Sequence, residues 1–128
     1  MLNVAQYHVA YGQSEVLHGL DFTVAPGEII AIMGRNGMGK TTLMKSLMGI
    51  VPTSNGAAAV DGVDITTMKS YERVARGIAY VPQGRMIFPT MTVQENIETG
   101  LTISGQSRVP GDIYELFPVL LDMKGRRG

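Results

Sequence analysis

Three glycines, a lysine and a threonine fall at fixed spacing in Gly34-Arg35-Asn36-Gly37-Met38-Gly39-Lys40-Thr41, which satisfies the pattern G-x-x-x-x-G-K-[ST] at every fixed position. These residue types suit the capture of a phosphate chain. Backbone wrapped around an anion must turn several N–H groups inward, in conformations that glycine adopts at little steric cost. A helix starting near Lys40 adds roughly half a positive charge at its N-terminus. Lys40 supplies a compact cation for the outer phosphates of a nucleotide, and the Thr41 hydroxyl is a ligand for Mg²⁺. The plainer alternative is a glycine-rich turn with a surface lysine. A chance match in this composition is roughly a one-in-a-hundred event, and the context makes it rarer still.

That context is an apolar run before the glycines and a helical pattern after them. Residues 28–33, "EIIAIM", read as a buried, parallel strand. Leu43, Met44, Leu47 and Met48 repeat at helical spacing as packing residues, and Gly49 supplies the stop. Ahead of the loop, Leu2 and Val4, then Leu20, Phe22 and Val24, alternate with more polar residues as half-buried strands do, with "YGQSE" as their turn and "APGE" as a second turn. An aromatic in that hairpin can stack on a purine base, and Tyr11 is the candidate, against the alternative of an ordinary turn tyrosine. "AAAVDGVDI" predicts two short strands about a turn at Asp61-Gly62, "SYERVARG" a helix ending at Gly77, and "IAYV" a further buried strand. Thr92 with Glu95 forms a capping box for a helix through Ile97. A loop follows from Gly100 to Gly111, then a helix capped by Asp112 and interrupted near Pro118. The order predicts an α/β fold with an antiparallel β portion at its front.

The 128 residues suit one domain or a large part of one. Eleven basic and eleven acidic side chains cancel, which leaves no electrostatic footprint for nucleic acid. The absence of cysteine excludes disulfides and thiolate metal sites. No apolar run approaches the ~18 residues needed to span a bilayer, and the N-terminus lacks a secretory pattern. A soluble, cytoplasmic protein is the default.

Small kinases and GTPases usually carry such a loop on their first strand, whereas here some thirty residues precede it. Residues 11–56, from "YGQSEVLHGL" to "VPTSNG", resemble the front half of an ABC transporter ATP-binding subunit. "RGIAYVPQGRMIFPTMTVQENI" resembles the glutamine-loop region of the same family. The resemblance implies a P-loop NTPase of the ABC type: an antiparallel β subdomain, a RecA-like core and the start of a helical subdomain. It implies that Tyr11 stacks on adenine and that Gly34, Arg35, Asn36, Gly37, Met38, Gly39, Lys40, Thr41 and Thr42 cradle the phosphates of ATP. Thr41 and Gln83 would lie at Mg²⁺, Gln83 positioning water as well. A side-chain amide suits that role because it both accepts and donates. The partners implied are transmembrane permease subunits and a second ATP-binding subunit in a dimer, at the cytoplasmic face of the membrane. Within the family, "GRNGMGKTT" with Gln83 looks most like the second ATPase of urea uptake systems. The branched-chain amino acid type is the alternative, and a P-loop kinase or GTPase, or a non-catalytic nucleotide-binding fragment, are the competing classes.

The family's signature LSGGQ, its acidic strand end with the catalytic glutamate and its switch histidine have no good match here. "ISGQS" lacks one glycine and stands just before Pro110, which disfavours the helix that the signature opens. "PVLLDM" has Met123 where the glutamate belongs, and Pro118 is unsuited to a central strand. "ELFPVLLDMKGRRG" resembles the stretch just before the signature, so residues 1–128 read as a partial nucleotide-binding domain ending ahead of it. Such an ending exposes sheet edges and apolar surface, with marginal stability and a tendency to associate, and it leaves no complete catalytic set. His8 and His18 read as structural residues. Lys124, Arg126 and Arg127 read as a solvated basic end.

Overall fold

The alternating apolar residues near the N-terminus become two long strands, β1 (Leu2–Tyr11) and β2 (Ser14–Val24), joined through Gly12 at φ 62. In this computed structural model the described residues are all of 1–128 except Asn36, Arg85, Ile103, Ser104, Gln106, Ser107 and the side chain of Thr102. They form two units, Met1–Tyr80 and Val81–Gly128. In the first, β3 (Asn55–Val60) pairs with the free edge of β1, and β4 (Val63–Asp64) with β3. The result is an antiparallel sheet in the order β2-β1-β3-β4. Asp61 and Gly62 both take positive φ, 49° and 80°, the two-residue turn whose twist matches the flanking strands.

A bulge at Gln6 decides which side of β1 faces the core. Strict alternation from Val4 would send Gln6 and His8 inward. Gln6 instead adopts φ 47, and the register slips between Val4 and Tyr7 against β2 and between Ala5 and His8 against β3. The extra residue changes the inward parity, so that Val4, Tyr7 and Val9 are all buried. Asp21 fixes the bulge by accepting from the Gln6 backbone N–H at 2.9 Å and from its side-chain amide at 2.7 Å. Gly56 lies opposite with φ 85, where a Cβ would come within 2.0 Å of the Gln6 carbonyl oxygen.

Helix α1 (Lys40–Leu47) lays Leu43 on this face, with Leu17, Val51, Ala58 and Ile65 completing the core. Gly49, at φ 78, ends the helix as expected. The short helix α2 (Ser70–Ala75) contributes Arg73, which is 3% exposed. Its guanidinium donates to the carbonyl oxygens of Ser46 (2.7 Å), Leu47 (2.9 Å), Thr66 (2.8 Å) and Met68 (2.9 Å).

Two expected strands do not form among the described residues. Residues 28–33 and 78–81 belong to no ladder, and Ile29, Met33 and Val81 are 98%, 89% and 92% exposed. A continuous apolar run encodes a demand for cover on both faces, but strand formation also needs hydrogen-bonding neighbours. The described antiparallel sheet does not supply them.

In the second unit, α3 (Val93–Glu98) begins at the predicted capping box. Glu95 donates its N–H to Thr92 Oγ1 at 3.1 Å, and its carboxylate accepts from the Thr92 N–H at 2.7 Å. Asn96 clips the preceding loop to the helix: its Oδ1 accepts from Phe88 N–H, and its Nδ2 donates to the carbonyls of Phe88 and Thr92. The chain end lies back along this start, with Val93 N–H donating to Arg126 and Gly128 N–H to Met91. A 3₁₀ turn (Thr99–Thr102) precedes α4 (Gly111–Leu116) and α5 (Pro118–Asp122). Pro118 starts α5, so "PVLLDM" is helical rather than a strand. Asp112 does not cap α4. Pro110 holds that position, and Asp112 stands in the first turn. No helix among the described residues is long and apolar enough to cross a membrane.

The bulge yields a paired prediction. Gly56→Ala should cost more than about 3 kcal/mol, because it adds a backbone overlap to an unfavourable φ. Gly62→Ala, with positive φ but open space around it, should cost only about 1 kcal/mol. Urea unfolding of both variants measures the difference, and equal losses would contradict the overlap.

Candidate functional site

The glycine loop enters α1 through Gly39, which takes the N-cap position at φ 97, in the left-handed region. Two constraints exclude a side chain there. The dihedral itself is adverse to L-residues, and a Cβ would meet Leu17 Cδ2 at 2.8 Å and Val16 Cγ1 at 3.2 Å. Gly37, at φ 82, makes the preceding turn, and Met38 N–H donates to the Arg35 carbonyl at 3.3 Å.

The first bond of α1 runs from Leu43 N–H to the Gly39 carbonyl at 2.9 Å. The amides of Gly39, Lys40, Thr41 and Thr42 therefore precede the helical ladder. The N-cap makes no side-chain hydrogen bond, and the first turn carries no acidic residue. An ordinary helix start fills this position with Ser, Thr or Asp and favours carboxylates beside it. Here the donors and the positive end of the helix are left for an external anion. Lys40 Nζ reaches back over the loop to the Gly34 carbonyl.

Tyr11, Val16, Gly37, Gly39, Lys40, Thr41 and Thr42 line one cavity of about 300 Å³. Tyr11 is half exposed, and its hydroxyl lies 3.4 Å from Thr42 Oγ1. This contact ties the end of β1 to the first turn of α1. Thr41 is exposed, whereas Thr42 is nearly buried. Gly34 and Met38 line a neighbouring cavity of about 560 Å³, together with Gly37, Gly39 and Lys40. Arg35 is exposed and Asn36 lies outside the described residues. Gln83 belongs to the second unit, exposed at a bend before Gly84, whose φ is 92.

The donor set fits a polyphosphate: consecutive amides, one ammonium, a helix N-terminus and an aromatic ring within one concavity. The fit to magnesium is narrower. No group of three or more His, Cys, Asp or Glu that could hold a metal occurs among the described residues. The ion would take its ligands from phosphate oxygens and water together with the Thr41 hydroxyl.

Two features around the loop had no local signal in the sequence. Val16 lines both cavities and, with Leu17, is one of the two residues against which Gly39 packs. Glu15, also on the larger cavity, is shared by two histidines, with His8 Nδ1 at 2.5 Å and His18 Nδ1 at 3.2 Å. The hydrogen bond with His8, reinforced by that with His18, holds the Glu15 carboxyl below its ordinary value of 4.5. Its contribution to stability is therefore present above that value and lost as the pH falls through the lower folded one. Both histidines, expected to be structural residues, meet at this carboxylate.

The Gly39 constraint makes a direct prediction. Gly39→Ala should lower stability by about 2 kcal/mol or more, from the dihedral and the overlap with Leu17 together. Gly37→Ala has the same sign of φ and nothing within 4 Å of its Cβ, and it should lose less than half as much. Thermal unfolding of the pair checks this, and a silent Gly39→Ala would contradict it.

A family model described as ABC transporter matches residues 17–124. The ribose import ATP-binding protein RbsA of Oceanobacillus iheyensis is 45% identical over 73% of this chain and 19% of its own length. The high-affinity branched-chain amino acid transport ATP-binding protein BraG of Pseudomonas aeruginosa is 33% identical over 99% of this chain and 56% of its own length. Among solved structures, an ATP-binding subunit of an ABC transporter superposes with TM-score 0.79 at 25% identity, over 99% of this chain and 54% of that one. An ATP-binding cassette captured as a dimer in a post-hydrolysis state with ADP and Pi shares the fold, with TM-score 0.79 at 19% identity, over 99% of this chain and 61% of that one. The chain thus spans from about a fifth to about three fifths of the length of these proteins. With most of its residues inside the family model and its fold repeated in those cassettes, this chain belongs to the ABC transporter family, as part of an ATP-binding domain.

Proposed function

We propose that this chain is part of the ATP-binding subunit of an ABC importer, which binds Mg-ATP and, in the whole protein, hydrolyses it to drive uptake of a small solute. The observation that carries the reading is the start of α1: a left-handed glycine, four amides ahead of the helical ladder, Lys40 and Tyr11 around one cavity.

In this reading Tyr11 stacks on the adenine, and the loop amides with Lys40 hold the β- and γ-phosphates. Water attacks the γ-phosphorus in line as the bond to the β–γ bridging oxygen breaks. Charge grows on that leaving oxygen, and fixed dipoles aimed at it need no reorganisation during the reaction. Magnesium, when bound, would neutralise oxygens of the β- and γ-phosphates. Thr41 would offer it a hydroxyl, and the family resemblance assigns Gln83 to the water or the metal. The catalytic glutamate and signature belong to other parts of the subunit pair. Each site would be completed by a second copy, with permease subunits docked at the cytoplasmic face of the membrane.

For the solute we propose urea, on the strength of "GRNGMGKTT" with Gln83. Relatives named for import of ribose and autoinducer 2, and for transport of branched-chain amino acids, support an importer while leaving the solute open among such small polar molecules. A branched-chain amino acid is the second candidate, favoured by likeness to BraG over nearly the whole chain.

In the whole subunit, Lys40→Ala should weaken Mg-ATP binding about a hundredfold, the equivalent of one charge-assisted contact to phosphate. Tyr11→Ala should weaken it about tenfold, as loss of one stacked base would. Titration with a fluorescent ATP analogue measures both. A parent that binds GTP as tightly as ATP, with Tyr11→Ala silent, would overturn this reading in favour of a different P-loop class.

A further inference from the structure

Arg73 is a buried cation with no carboxylate within ion-pair distance among the described residues. The charge acts on Asp64 only from farther away. Main-chain oxygens close around it instead, and four of the five guanidinium N–H groups find carbonyls. Two of those carbonyls, Ser46 and Leu47, are at the C-terminal end of α1. The other two, Thr66 and Met68, lie in the segment between β4 and α2.

We propose that Arg73 is a positioning residue for nucleotide phosphates, fixing the far end of α1 and with it the direction in which the N-terminus of α1 presents Lys40, Thr41 and the loop amides. The inference rests on the nucleotide-binding reading given above. An eight-residue helix is about 12 Å long. Alone it would be too short to hold its shape, so tertiary contacts must fix it. At its start, Gly39 rests against Val16 and Leu17. At its end, the last carbonyls are held by the Arg73 fork. A rod held at both ends has a defined axis, and one held only at Gly39 can swing. The cation also complements the negative end of the helix dipole, whose positive end faces the loop.

The geometry requires a guanidinium. Nε serves Met68, one Nη serves Ser46 and Leu47, and the other serves Thr66, so the acceptors lie on three sides of a plane. A lysine ammonium presents its donors from a single nitrogen and cannot span them. Gly49 leaves room for the group, since a Cβ there would come within 3.0 Å of Arg73 Nε.

The test uses the whole ATP-binding subunit with its permease, and three variants at a temperature where circular dichroism shows each fully folded. Arg73→Lys should raise KM for ATP five- to tenfold and change kcat less than twofold. Gly49→Ala, which presses on the same guanidinium, should shift KM in the same direction and carries the test alone if Arg73→Lys does not fold. Ile65→Val trims a fully buried core residue that lines neither cavity at the loop. It should lower the melting temperature and leave KM at the parent value. An unchanged KM in both Arg73→Lys and Gly49→Ala overturns the inference, as does an equal rise in Ile65→Val, which would reduce Arg73 to a residue that only stabilises the fold. A parent that binds no nucleotide overturns the proposed function itself.

Discussion

Gly39 stands where three demands meet. The chain must leave the glycine loop, reverse into a helix and let β2 press against the junction. A left-handed dihedral makes the reversal, and the missing Cβ leaves the space that Leu17 and Val16 occupy. Because the turn is made this way, the first amides of α1 emerge ahead of any helical bond and beside Lys40. A residue with a side chain would have to tilt the helix or lift it off the hairpin, and either movement would redirect the donors. The direction in which these donors point is therefore set by packing as much as by charge.

The hairpin serves the loop in two ways. Its inner face supplies Leu17 as the floor beneath Gly39, and its tip supplies Tyr11 as a wall. The bulge at Gln6 turns Tyr7 and Val9 inward, Val9 opposite Leu17, and sends His8 to the outer face. A β1 with regular alternation would bury Gln6 and His8, and a neutral amide or imidazole without partners costs more there than it returns. Asp21 and Gly56, one by hydrogen bonding and one by making room, hold the bulge from the two neighbouring strands.

Much of the candidate site is legible in the sequence, because its logic is local. Gly37, Gly39, Lys40 and Thr41 are consecutive or nearly so, and their chemistry follows from spacing alone. The Thr92–Glu95 capping box and the Asp61-Gly62 turn are legible for the same reason: each is complete within four residues. What escaped is long-range. Arg73 looks like a helix-surface cation in "SYERVARG", and nothing in that stretch announces that the carbonyls of Ser46 and Leu47 will meet it. Likewise Glu15 and its two histidines are brought together by strand register. The apolar runs at 28–33 and 78–81 misled in the opposite direction, since apolar composition states a need for neighbours without providing them. Asp112 failed as a cap because Pro110 already fixes the chain's entry into α4.

The central claim is that the amides at the start of α1 point at a bound polyphosphate. Amide ¹H–¹⁵N spectra of the ATP-binding subunit, titrated with Mg-ATP and separately with adenosine, test it most directly. Large, saturable shifts of Gly37, Gly39, Lys40, Thr41 and Thr42 with Mg-ATP, and little response of these amides to adenosine, are the expected result. Loop amides that stay unmoved at saturating Mg-ATP, while resonances elsewhere respond, would contradict it.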